Sequence, residues 1–359
     1  MGTVDPPLRI AQLAPPFLPV PPPKYGGTEL VVSLLTEELV RRGHEVTLFA
    51  SGDSHTSARL AAAVETAVWL RHDMDPAPYV ARSVDACFQR AAEFDVIHNH
   101  LGFAAYPAAR LAAPEKTLST VHGRVDAPDQ AEGHRYFQSM PLVAISNAQR
   151  ALLPDANWLG TVHHGLDVTR FPFQERGDSY VAFVGRISPE KGLDTAISAA
   201  RQAGVPIKVA ARQPVEQVTN LDVRRDWQYY RERIEPLLGL PGVEYVGELD
   251  SAAKCQLLAH ASALLFPVRW PEPFGLVMIE ALACGTPVIA TRWGSVPEVI
   301  EDGVTGFVVE GEDELVPALG CLSELDRRRC RAEAERRFSA AAMVDRYEAL
   351  YHKLVAGRQ

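Results

Sequence analysis

The sequence predicts an α/β protein built on two doubly wound parallel sheets. Three observations carry that expectation. Short apolar runs, the length of buried parallel strands, alternate with amphipathic helical segments. Glycine and proline gather where each run hands over to the next segment. The chain has 359 residues, room for two domains of roughly 100–200 residues each.

The elements follow in order. Leu8 to Ala14 fits a buried strand. Pro15 to Pro23 excludes helix and central strand, and the segment ends in Tyr25-Gly26-Gly27. From Thr28, the residues Leu30, Val31, Leu34, Leu35 and Leu39 share one helical face, and Gly43 stands where that helix would stop. His44 to Ala50 is the next strand, completing a strand–helix–strand unit. Asp95 to His98, Thr117 to Val121 and Pro141 to Ile145 are short strands with alanine-rich helical segments between them. Thr161 to Arg176 is irregular and polar and marks a domain boundary.

A second series starts at Tyr180. Strands are expected at Tyr180–Val184, Ile207–Ala211, Val243–Val246, Ala263–Phe266 and Val288–Ala290. Helices are expected at Leu193–Ala203, Trp227–Leu238, Ala252–His260 and Leu276–Ala283, and residues 320–359 are helical. The division reads as residues 1–170 for the first domain, 171–339 for the second, and 340–359 for a final helix.

Composition excludes several functions. Hydrophobic residues make up 47% and charged residues 23%, which rules out wholesale disorder. The net charge of -9 argues against a nucleic-acid binder, which shows a basic face. No apolar run approaches the roughly 20 residues of a membrane span. Met1 to Leu8 lacks a basic region followed by an apolar stretch, so no signal peptide is expected. Cys87, Cys255, Cys284, Cys321 and Cys330 are widely spaced and odd in number. They read as reduced thiols of a cytoplasmic protein rather than a disulfide frame or a zinc site.

Two segments carry the chemistry. Glu272-Pro-Phe-Gly-Leu-Val-Met-Ile-Glu280 follows a strand, turns at Pro273 and Gly275, and enters a helix. The amides of Phe274, Gly275 and Leu276 at that helix start suit an anion such as a phosphate. Glu280 lies among Val277, Met278, Ile279, Ala281 and Leu282, where a carboxylate needs donors. Ribose hydroxyls would serve, and so would a structural ion pair with an arginine. The second segment is Gly185-Arg186-Ile-Ser-Pro189-Glu190-Lys191-Gly192, also between a strand and a helix. Arg186 and Lys191 could hold a diphosphate, Arg186 as a fork and Lys191 as a point charge, or could be solvated surface cations.

Together these segments resemble the retaining, nucleotide-sugar-dependent glycosyltransferases of family 4, which have the GT-B fold. The family pattern is a G-R-x-x-P-x-K-G loop followed by E-x7-E. Further matching pieces are Tyr25-Gly26-Gly27, Asp95-Val-Ile-His98, Val121-His122-Gly123, Ala144-Ile-Ser146-Asn147 and Gly294-Ser-Val-Pro297-Glu298-Val.

The resemblance implies two Rossmann-like domains facing across a cleft, with the C-terminal helix returning to the first. The first domain would be the acceptor side and the second the donor side. Arg186 and Lys191 would neutralise the departing diphosphate, Glu280 would hold the ribose and Glu272 the donor sugar. The amides of Phe274, Gly275, Leu276 and Val277 would touch sugar and phosphate. Gly26 and Gly27 would approach the diphosphate, and His122 would line the sugar pocket. Arg212 and the loop at Gly247-Glu248 would border the base. The partners implied are a nucleotide sugar, with UDP-glucose first and GDP-mannose next, and a small-molecule or glycan acceptor. No metal or other cofactor is implied. Two departures stand out: His164-Gly165 replaces the usual asparagine–glycine, and Ala210-Ala211-Arg212-Gln213-Pro214 replaces a glycine-rich turn.

The competitors are weaker. Asp73-Met74-Asp75 matches a metal-binding D-x-D of another fold but lies in a polar loop. His98 with His100, or His163 with His164, lack further partners for a ligand set. The first strand–helix turn lacks the G-x-G-x-x-G of a dinucleotide oxidoreductase. Arg327-Arg328-Arg329 and Arg331, interleaved with Glu324, Asp326, Glu333 and Glu335, read as a salt-bridged, solvated helix face. A nucleotide-sugar epimerase, a phosphorylase and a silent sugar-nucleotide-binding protein are the alternative functions on this fold.

Overall fold

The computed structural model describes residues 6–24, 26–70, 75–216 and 221–357. The chain divides into two compact units, residues 1–166 with 340–359, and residues 167–339.

The first unit is built on a parallel sheet, seven-stranded among the described residues. Its strands are β1 (Arg9–Leu13), β2 (Glu45–Ser51), β3 (Arg59–Val64), β4 (Val96–Asn99), β5 (Thr117–Val121), β6 (Leu142–Ala144) and β7 (Trp158–Thr161), in the order β3-β2-β1-β4-β5-β6-β7. The helix Ala340–Ala356 belongs to this unit and packs on the helix Gly27–Arg41 and on β4. Met343, Val344, Tyr347 and Tyr351 form its buried face. Its polar flank is tied by Arg42 to Asp345 at 2.7 Å, and by His44 to Glu348 at 2.8 Å.

The second unit carries a parallel sheet of six strands among the described residues. These are β8 (Val181–Val184), β9 (Ile207–Ala210), β10 (Val243–Gly247), β11 (Ala263–Phe266), β12 (Val288–Thr291) and β13 (Gly306–Val309), in the order β10-β9-β8-β11-β12-β13. Val181, Phe183, Ile207, Val209, Ala263, Leu265 and Ile289 supply the strand side of its core, against Leu193, Ala196 and Ile197 of the helix Leu193–Gln202.

Strand order reverses between β1 and β4 in the first sheet and between β8 and β11 in the second. Crevices at such reversals, outside the carboxyl ends of the strands, are where doubly wound sheets bind ligands.

Three strands lie outside the expected set, each for a local reason. β3 is alanine-rich and half-exposed at a sheet edge, so its composition favours helix. β7 is a four-residue strand that runs into the stretch read as irregular and shares only Thr161 with it. β13 is a four-residue edge strand directly behind a turn. The expected helix Trp227–Leu238 starts earlier, at Leu221–Tyr229, and widens into a π-turn at Tyr230–Ile234. Pro236 follows, and the wider turn accommodates a ring that cannot donate to the preceding turn.

Arg327 departs from the solvated face read from the sequence. It is buried and donates to the carbonyls of Ala259 and Ala261 at 2.6 and 2.8 Å. These are carbonyls that the C-terminal end of the helix Ser251–His260 leaves unpaired. Burial holds the Arg327 guanidinium below its ordinary value.

Candidate active site

The two loops that leave β8 and β11 meet at the reversal of the second sheet. The first, Gly185–Gly192, ends in a tight turn over Pro189–Lys191. The second runs from Pro267 to Gly275 and enters the helix Leu276–Ala283. Arg269 N–H donates to the Glu190 carbonyl at 2.9 Å, joining the loops.

That junction places Lys191 Nζ 2.6 Å from Glu272 Oε2. The same oxygen accepts from Trp270 Nε1 at 2.8 Å. The ammonium also lies over the Phe266 and Trp270 rings, 5.5 and 5.2 Å from their centres. Glu272 is only 6% exposed. A carboxylate so desolvated needs both of these donors.

Glu280, 4% exposed, projects from the second turn of the helix Leu276–Ala283. Its Oε1 pairs with Lys254 Nζ at 2.6 Å. The partner is a lysine of the neighbouring helix rather than an arginine. Burial works to lower the Lys254 ammonium, but the Glu280 charge and hydrogen bond overcome it and hold it above its ordinary value. At the mouth of the same helix, the first-turn amides of Leu276 and Val277 have no intrahelical acceptor. They give the site a positive end.

Arg186 is half-exposed and meets two carboxylates, Glu190 at 2.8 Å and Asp226 at 3.6 Å. Arg225 binds the same pair at 3.1 and 3.3 Å. Arg212 is exposed beyond the end of β9. Phe274 is buried, with its carbonyl accepting from Ser295 Oγ at 2.9 Å.

Gly192 and Gly294 explain how the loops approach so closely. Gly192 has φ +67, and a Cβ there would lie 2.1 Å from the Pro267 carbonyl oxygen. Gly294 has φ +57, and a Cβ would lie 2.3 and 2.4 Å from the backbone O and N of Glu272. Ser295 N–H then donates to the Glu272 carbonyl at 2.9 Å. The loop after β12 therefore braces the Glu272 backbone. We expect Gly294→Ala to cost about 1–3 kcal/mol in stability, from positive φ and steric displacement. Denaturant unfolding reads the loss, and nucleotide affinity should fall with it.

The first unit holds the other candidates. Gly26 lies against Pro22 and Leu18, and a Cβ would sit 2.7 Å from Pro22. Gly27 opens the helix Gly27–Arg41. Tyr25, Asp73 and Met74 lie outside the described residues, while Asp75 accepts from Ala77 N–H at 2.9 Å. His122 follows β5, with its Nε2 2.9 Å from His100 Nδ1. Burial holds the His122 imidazole down to about 4.

Trp270, Lys254 and Ser295 were not singled out from the sequence. Trp270 could have been, as an indole two residues before Glu272 in an otherwise tight loop. Lys254 could not, since its helix is remote in sequence. A surface groove on the second unit, lined by Ser262, Pro287, Leu322 and Asp326, lies by the amino ends of β11 and β12, away from these residues. Among the described residues, no group of three or more His, Cys, Asp or Glu is placed to hold a metal. No helix among them is long and apolar enough to cross a membrane.

Known proteins resemble this chain in sequence and fold. The D-inositol 3-phosphate glycosyltransferase of Mycolicibacterium smegmatis is 28% identical, over 98% of this chain and 93% of that enzyme. The crystal structure of AviGT4, a glycosyltransferase involved in avilamycin A biosynthesis, is 25% identical, with a TM-score of 0.71 over 98% of this chain and 99% of that one. Anabaena HepE, solved in complex with UDP-glucose, matches with a TM-score of 0.68 at 20% identity, over 96% of this chain and 99% of that one. The profile for glycosyltransferase family 4 matches residues 25–169, and that for group 1 glycosyl transferases matches residues 168–337. With both sheets wound in this order, and a family 4 domain followed by a group 1 domain along the sequence, the chain is a GT-B glycosyltransferase.

Proposed function

We propose that this enzyme transfers a hexose, with retention, from a nucleoside-diphosphate sugar to a small-molecule or glycan acceptor, without a metal. The observation that carries the reading is the Lys191–Glu272 contact at 2.6 Å, set beside the open amides of the helix Leu276–Ala283 at the sheet reversal. Lys191 and those amides face a departing diphosphate. Their attraction grows as the sugar–phosphate bond breaks and negative charge gathers on the leaving group. Arg186 adds its fork by exchanging Glu190 and Asp226 for phosphate oxygens. Glu272 accepts from sugar hydroxyls, and Glu280, oriented by Lys254, from the ribose. His122 contacts the sugar. Gly26 and Gly27 approach the diphosphate, and Arg212 borders the base.

Glu272 is not a nucleophile in this scheme. The acceptor hydroxyl attacks from the face the diphosphate leaves, and a diphosphate oxygen takes its proton. UDP-glucose is the first donor to test, because the HepE fold relative was solved with it. A polyol phosphate is the first acceptor, because the M. smegmatis relative is named for one.

The test is a thermal-shift series with UDP, GDP, ADP and TDP and their glucose or mannose conjugates, with and without EDTA. A ligand that binds only the folded chain at 100 times its Kd stabilises it by about 2.7 kcal/mol. A shift with UDP and UDP-glucose, unchanged by EDTA, is the expected result. Shifts that vanish with EDTA overturn metal independence, and no shift with any nucleotide overturns the donor class.

A further inference from the structure

Parallel strands buried on both faces are normally apolar. β1, β4 and β5 break that rule with Gln12, His98 and Thr120, all at most 1% exposed. Gln12 and His98 are direct neighbours across β1 and β4. Their polar atoms form one chain with His100, His122 and the tyrosines of the helix Ala340–Ala356.

The amide of Gln12 gives that chain a direction. Its Nε2 can only donate, and does so to Tyr351 Oη at 3.2 Å. Its Oε1 can only accept, and its partner is His100 Nε2 at 2.8 Å. His100 therefore carries its proton on Nε2, and its Nδ1 is an acceptor. That acceptor lies 2.9 Å from His122 Nε2. His122 must then be protonated on Nε2, leaving the lone pair on Nδ1.

The other branch balances too. Tyr351, accepting from Gln12, donates to His98 Nδ1 at 2.7 Å. His98 Nε2–H donates to Thr120 Oγ1 at 2.7 Å, and Thr120 donates to Tyr347 Oη at 3.0 Å. Each histidine N–H in the circuit has an acceptor. The rings also pack: His100 lies tilted 3.9 Å from His98 and 5.2 Å from His122, and His164 stacks 5.4 Å from His122.

We propose that Gln12 and His100 are positioning residues that lock His122 as the neutral Nε2–H imidazole, so that its Nδ1 accepts a hydrogen bond from a hydroxyl of the donor sugar. The inference rests on the reading that His122 touches that sugar. It deepens that reading by giving the contact a polarity. A sugar hydroxyl that donates is recognised, and a fluorine or methoxyl in its place is not.

The test has two arms on the full chain. Nitrogen-15 spectra of histidine-labelled protein at pH 7.5, assigned with His122→Gln, read the tautomer directly. The expected result is protonated Nε2 and bare Nδ1 on His122 in the unaltered protein. Gln12→Met should mix the tautomers, and Gln12→Glu, which keeps an acceptor for His100, should restore the first. Titration with UDP-glucose and with UDP reads the consequence. Gln12→Met should weaken UDP-glucose about tenfold, the scale of one lost hydrogen bond, while UDP stays within about twofold.

A wild-type Nδ1–H tautomer overturns the proposal, as does a tautomer indifferent to Gln12→Met. Equal weakening of UDP and UDP-glucose also overturns it, since that marks a general loss of structure. Failure of UDP-glucose to bind the unaltered protein counts against the donor assignment instead. The spectra still decide the relay in that case.

Discussion

Lys191→Ala is expected to slow donor turnover by about 10²–10³-fold, the usual loss when one preorganised group facing developing negative charge is removed. Release of nucleoside diphosphate from the donor, with the best acceptor found, is the measurement. The effect should fall on kcat more than on KM, because the ammonium's attraction is strongest once the bond is breaking.

Lys191 also has a structural partner to account for. Its removal leaves Glu272 buried with the Trp270 indole as its remaining side-chain donor. Some loss of stability will follow, and Lys191→Arg separates the two effects. Arginine keeps the charge beside Glu272 but not the point-like ammonium, so it should recover stability more fully than turnover. Glu280→Ala should act differently. It strips Lys254 of its partner and, on the proposed reading, removes the carboxylate that accepts from the ribose, so most of the rate should be lost at low donor concentration and part should return at saturation. Near-wild-type turnover in either alanine variant would sink the site assignment.

The second-unit part of the candidate site was readable because its residues are local in sequence. Gly185 to Gly192 and Glu272 to Glu280 are contiguous segments, and the turn residues that aim them lie within the same few positions. The ends of the helix Leu276–Ala283 and of β11 follow directly from that punctuation. What the sequence hid is whatever depends on a partner far along the chain. Lys254 meets Glu280 only once two helices pack, and Gly294 meets Glu272 only once β12 is paired with β11.

His98 and His100 show the same limit. Their spacing puts both on one face of the chain leaving β4, a legible signal read as an unsupported metal pair. The glutamine and tyrosines that complete the circuit come from opposite ends of the sequence, Gln12 and Tyr351. β3 was missed for a different reason: alanine at a half-exposed edge has no strand signature, and pairing with β2 decides its conformation.

Acid should melt the first unit before the second. His98, His100, His122, His134 and His164 all lie in the first unit, and burial holds each below its ordinary value of 6.5. For His122 and His134 the native value is about 4. Once unfolded, each binds a proton near pH 6.5 that the native state refuses. Stability therefore rises with pH between about 4 and 6.5 and is lost on acidification through that window. The slope is about 1.4 kcal/mol per pH unit for each histidine. With five such groups, the loss between pH 7 and pH 5 is several kcal/mol, a large part of a domain's total stability.

Hydrogen exchange at pH 7 and pH 5, compared at equal intrinsic rate, should show protection falling over β1, β4 and β5 and holding over β8, β11 and β12. Equal loss in both sheets would remove the histidines as the cause. His134 supplies the control. It lies against Phe103 and Tyr106, with ring centres 4.6 and 6.2 Å away, and neither ring nitrogen has a hydrogen-bond partner among the described residues. His134→Phe keeps the packing and deletes the proton site. It should raise stability at pH 5 by about 1–2 kcal/mol relative to its effect at pH 7.5, one histidine's share of the window.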